Sequence, residues 1–81
     1  MSIAPEARMG NDIARQFQHL PAAEAAEIVA QHIERFWDPR MRRNLEALVA
    51  SHDESLDPVV VDAAGRIAAH DAAATESDPQ H

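Results

Sequence analysis

The chain has 81 residues, no cysteine, and fourteen acidic residues against seven arginines and no lysine, for a formal charge of −7. That length supports one domain with a thin core, and the missing thiols exclude disulfides, thiolate metal sites and cysteine-ligated iron–sulfur clusters. The acidic balance opposes nonspecific nucleic-acid binding at long range. No window approaches the ~20 apolar residues that span a bilayer, and the opening Met1–Arg8 lacks the apolar stretch of a secretory signal. The expectation is a soluble, cytoplasmic protein.

Alanine is abundant, glycine rare, and β-branched residues do not alternate with polar ones, so the periodicity is helical throughout. The pattern predicts an all-α fold: a small bundle of four short helices over residues 1–70 and a disordered C-terminal tail over 71–81. The first helix is expected from Pro5 to His19, with Met9, Ile13, Phe17 and Leu20 on its buried face. Gly10 interrupts it at a cost of roughly 1 kcal/mol relative to alanine.

Pro21 suits the start of a second helix, which runs to Phe36. Its stripe of Ala25, Ile28, Val29, His32, Ile33 and Phe36 is wide enough to meet two neighbours, which marks it as the central helix. Asp38-Pro39 then stops one helix and starts another, because proline disfavours helical geometry in the residue before it and Asp38 can accept backbone amides as a cap. The third helix, Pro39 to Ser51, buries Met41, Leu45, Leu48 and Val49 and turns Arg40, Arg43 and Glu46 outward, with Arg42 at the boundary.

Leu56-Asp57-Pro58 repeats the grammar of Trp37-Asp38-Pro39: an apolar residue, a cap, then proline in the first turn. Leu56 and Val61 are placed for a hydrophobic staple, and the equivalent pair at the earlier corner, Trp37 and Arg42, can stack as a cation on an aromatic face. The fourth helix is expected to end at Ala69. Beyond His70 no large apolar residue offsets the entropy of ordering, hence the predicted tail.

Chemistry is sparse. No two of the five histidines stand three or four apart, so no metal-ligand spacing exists. His32 reads as a partly buried, hydrogen-bonded packing residue, and His19, His52 and His70 lie near predicted helix C-termini, where the dipole favours a proton. The carboxylate pairs Glu24/Glu27 and Asp53/Glu54 read as solvated surface, and two glycines cannot build a phosphate-cradling loop.

The segment 35–43 is different, with Arg35, Phe36, Trp37, Arg40, Arg42 and Arg43 in one short run. Tryptophan and arginine gain most when desolvated against a protein partner, so the candidate partner-binding residues are Trp37, Arg40 and Arg43, with Arg35 and Arg42 beside them. The competing expectation is internal ion pairing with Glu34, Asp38 or Glu46. Phe36 continues the core stripe, whereas the indole of Trp37 sits at the hinge, where it either plugs the bundle or faces outward.

The string His32-Ile33-x-Arg35-Phe36-Trp37-Asp38-Pro39-Arg40-Met41-Arg42 resembles the delta subunit of cytoplasmic NAD-dependent, molybdenum-containing formate dehydrogenases. Met9, Asn11, Ile13-Ala14, Phe17, Leu56-Asp57-Pro58 and Val60 extend the resemblance over about residues 8–67. It implies a non-catalytic subunit that binds no cofactor itself. Bis-molybdopterin guanine dinucleotide, iron–sulfur clusters and FMN would lie in other subunits of the complex. The implied partners are the large catalytic alpha subunit, with beta and gamma subunits in the same assembly, and the implied role is assembly or stability of the active enzyme. A transient chaperone for cofactor insertion is the alternative. The apolar stripe leaves a homodimer open to the isolated chain. Gly10 departs from the alanine usual in that family, which predicts either early fraying of the first helix or close approach of a neighbour's backbone.

Overall fold

The computed structural model describes residues 4–76, which form four α-helices: α1 (Pro5–Gln16), α2 (Ala22–Phe36), α3 (Pro39–Ala50) and α4 (Pro58–Glu76). None of these is long and apolar enough to cross a membrane. α2 and α4 share the most extensive contact and run in the same direction, since Glu27 pairs with Arg66 and Glu34 with His70. α3 runs antiparallel to α4, so that Arg42 near its start meets Asp71 near the end of α4. α1 packs across the other three.

The core is built from smaller residues than the sequence pattern suggested. In α1 the buried side is Ala7, Gly10 and Ala14. Ile13, Phe17 and Leu20 are only half-buried and Met9 is 38 % exposed, so the expected face is rotated away from the centre. In α2, Ala26 and Ala30 join Ala25, Val29 and Ile33 in the interior. Small side chains let helix axes approach closely, and close approach rather than side-chain size decides which stripe lies innermost.

Gly10 shows the same effect. A Cβ placed there would lie 3.1 Å from Cγ1 of Val60 and 3.9 Å from the indole Cη2 of Trp37. The helix does not fray at Gly10, and what approaches is side chain rather than backbone. α1 ends at Gln16, three residues before the expected His19. There the amides of Phe17 and Gln18 turn back to the carbonyls of Ala14 and Arg15, tightening the last turn.

α4 is longer than expected, continuing past Ala69 to Glu76. Residues 71–76 were expected in the tail; the run Asp71-Ala72-Ala73-Ala74 needs no large apolar residue to be helical, because alanine has the highest intrinsic helix propensity. Two ties from other helices also reach this part of α4, Glu34 to His70 at 3.0 Å and Arg42 to Asp71 at 3.2 Å. The remainder of the expected tail, residues 77–81, lies outside the described residues.

Candidate functional site

The corner between α2 and α3 is a two-residue connection. Trp37 leaves α2 in an extended conformation (φ −91°, ψ 139°), and Asp38 caps α3 by accepting the amide of Met41 at 2.9 Å. Pro39 is the first helical residue, where its missing N–H leaves nothing unsatisfied.

This geometry exchanges the two aromatic residues relative to the sequence expectation. Trp37 is 7 % exposed and belongs to the core cluster with Val60, Ile33 and Leu45. Phe36, expected in the core, is 68 % exposed. It is the last helical residue of α2, and the extended residue after it turns the larger ring inward over the end of the helix. One interior position receives one ring. The sequence held a signal for this: Trp37 occupies the position that Leu56 occupies before Asp57-Pro58, and the apolar residue before a cap is the one that packs inward.

Phe36 is not isolated on the surface. The ring of His32, one turn earlier in α2, lies 4.8 Å away between centroids with a 40° tilt. The Arg35 guanidinium stands 5.7 Å from the Phe36 centroid. The cation on an aromatic ring is therefore Arg35 on Phe36. The anticipated Arg42 stack on Trp37 gives way to an ion pair of Arg42 with Asp71, and the Arg42 side chain is only 25 % exposed.

Of the proposed partner-binding residues, Arg35, Arg40 and Arg43 make no ion pair among the described residues, and all three are exposed. The internal partners considered for them are engaged elsewhere or stand apart: Glu34 contacts His70, Asp38 caps Met41, and Glu46 pairs with no arginine among the described residues. Trp37 is placed inside the fold, and Arg42 in a helix-to-helix tie. The structure brings Arg35, Phe36 and His32 together at the end of α2, and Arg40 and Arg43 lie exposed one turn apart in the first turns of α3.

The other polar clusters are turned to internal use. Asn11 of α1 donates its amide to the Ser55 carbonyl at 2.7 Å and accepts the Asp57 amide at 2.9 Å, clamping the loop before α4. Asp53 accepts both the hydroxyl and the backbone amide of Ser55, which holds its carboxyl below the usual range. His70 is raised above the ordinary 6.5 chiefly by its contact with Glu34; the cause is that carboxylate and not a helix end, since α4 continues beyond it. Among the described residues no three histidine, aspartate or glutamate side chains gather as ligands for a metal ion. An open groove of about 380 Å³ between α3 and α4 is lined by Val49, Ala50, Val61, Ala64, Gly65 and Ala68, with Glu46 at its edge. Apart from that one carboxylate its walls are apolar and offer no reactive group.

Comparison with known families matches residues 7–64 to the model of FdsD, the NADH-dependent formate dehydrogenase delta subunit. The matched segment runs from the first buried residue of α1 through both Asp-Pro corners into α4. No curated protein and no solved structure gives a match.

Proposed function

The chain belongs to the FdsD family, the delta subunits of NADH-dependent formate dehydrogenase, and from that premise we propose that it is a non-catalytic accessory subunit docking on the large molybdenum-containing subunit in the cytoplasm. There it supports assembly or stability of the active enzyme. The bis-molybdopterin guanine dinucleotide, iron–sulfur clusters and FMN of such a complex belong to other subunits, beta and gamma included. With no cysteine, this chain has no thiolates to hold an iron–sulfur cluster.

The observation that carries the reading is the group of Arg35, Arg40 and Arg43, without an ion pair among the described residues of a chain with net charge −7. An acidic protein has carboxylates available for its own arginines. Three guanidinium groups left over at one corner suit a partner's carboxylates, which arginine binds through paired N–H donors.

Quantitative co-purification tests it. A stoichiometric amount of the chain on mature, active enzyme is the expected result. Enrichment on cofactor-free enzyme with loss from the mature complex would replace the subunit role with that of an insertion chaperone.

A further inference from the structure

The exposed end of α2 deepens the docking reading, and an anchor assigned there rests on that reading. Phe36 is the most exposed large apolar residue described, ahead of Val61 and Met9. It is also held in place, with the His32 ring at 4.8 Å and the Arg35 guanidinium at 5.7 Å from its centroid. A ring already restrained by two neighbours loses less conformational freedom on binding, which is the property of an anchor. Arg40 follows Phe36 by four positions, so their Cα atoms lie within ~14 Å of each other across the corner, with Arg43 one turn further along α3.

The charge around the ring selects what can cover it. A two-fold axis through the corner would set the same arginines against each other, and two whole chains of net charge −7 repel. An anionic membrane or nucleic acid would attract three arginines and repel a chain with net charge −7. A protein surface with local negative charge and an apolar depression satisfies both parts of the patch. We infer that Phe36 is the anchor of the docking surface, and that it seats in an apolar pocket on the large subunit rimmed by aspartate and glutamate carboxylates that receive Arg35, Arg40 and Arg43.

The test is binding kinetics of the full chain on formate dehydrogenase complex purified without it, measured at several salt concentrations. The unmodified chain should associate more slowly as salt rises. Phe36→Ala should bind at least about thirtyfold more weakly, mainly through faster dissociation, as hot-spot truncations do. The double variant Arg40→Glu, Arg43→Glu sets carboxylates against the carboxylate rim, so it should associate more slowly at low salt and no longer slow down as salt rises. Both variants alter surface positions, so their thermal unfolding should match the parent chain.

Phe36→Ala binding within twofold of the parent, or a clear loss of its folding stability, would overturn the anchor. An unchanged salt dependence in the double variant would overturn the carboxylate rim. Failure of the unmodified chain to bind at all would overturn the subunit reading, and this inference with it.

Discussion

Two corners of this bundle are written with the same three-residue phrase and put to opposite use. At Trp37-Asp38-Pro39 and at Leu56-Asp57-Pro58 the apolar residue is buried, the aspartate accepts an amide of the next helix, and proline opens that helix. Around the second corner the polar groups close on one another: Asn11 reaches in from α1 to bridge Ser55 and Asp57, and Asp53 takes both donors of Ser55. Around the first they open outward, with Phe36 exposed and Arg35, Arg40 and Arg43 left without an ion pair among the described residues. The capping phrase by itself only turns the chain. Its neighbours decide whether the corner closes on itself or leaves a ring and three guanidinium groups exposed.

The largest expected effect separates the two aromatic residues of the first corner. Trp37→Ala should cost about 3–5 kcal/mol through lost burial and the cavity left behind. A domain of this size holds roughly 4–12 kcal/mol in total, so that variant should be largely unfolded or melt far below the parent. Phe36→Ala should leave chemical denaturation within about 0.5 kcal/mol of the parent, as exposed substitutions do. Equal losses at the two positions would erase the distinction between an inward ring and an outward one.

At the second corner the sharpest probe is Asn11→Ala. It removes a donor and an acceptor from two part-buried backbone groups and should destabilise by about 1–3 kcal/mol in urea unfolding, with no effect on partner binding beyond that of stability.

A smaller change in the opposite direction is expected just upstream. α3 closes with the amide of His52 on the Val49 carbonyl and that of Asp53 on Leu48, a Schellman arrangement in which His52 stands at φ 59°. Glycine adopts that conformation without the Cβ penalty, so His52→Gly should raise stability by up to about 1 kcal/mol, read as a higher melting temperature.

The smallest effect is a pH dependence away from both corners. Glu34 raises His70 above its ordinary 6.5, so the folded chain holds that proton more tightly than the unfolded one. The contribution is fully present below the unfolded value and is lost as pH rises through the raised folded value. Denaturation midpoints should therefore fall slightly with pH from about 6.5 upward, and Glu34→Gln should flatten that slope.

Much of this architecture was legible in the sequence because proline, aspartate and helical periodicity act locally. Both caps and all four helices come from them. The innermost faces were less legible, since the pattern ranks residues by apolar size while α1 and α2 pack through Ala7, Gly10, Ala14, Ala26 and Ala30. The extension of α4 was hidden for a related reason: its alanines carry propensity rather than hydrophobic bulk, and its ties to Glu34 and Arg42 are non-local. At the candidate site the spacing of Arg40 and Arg43 on α3 could be read directly. The exchange of Phe36 for Trp37 depends on one extended residue at the corner, which the stripe of α2 does not encode.

Whether Phe36 is the covered residue can be read by hydroxyl-radical footprinting of the chain, alone and within the assembled formate dehydrogenase complex, at Met9, Phe36 and Val61. These three are the exposed large apolar residues among those described and lie on α1, α2 and α4. Oxidation of Phe36 in the free chain, with strong protection in the complex and little change at Met9 and Val61, is the predicted result. Protection of Val61 in the α3–α4 groove while Phe36 stays reactive would be incompatible with the anchor and would move the docking surface to that groove.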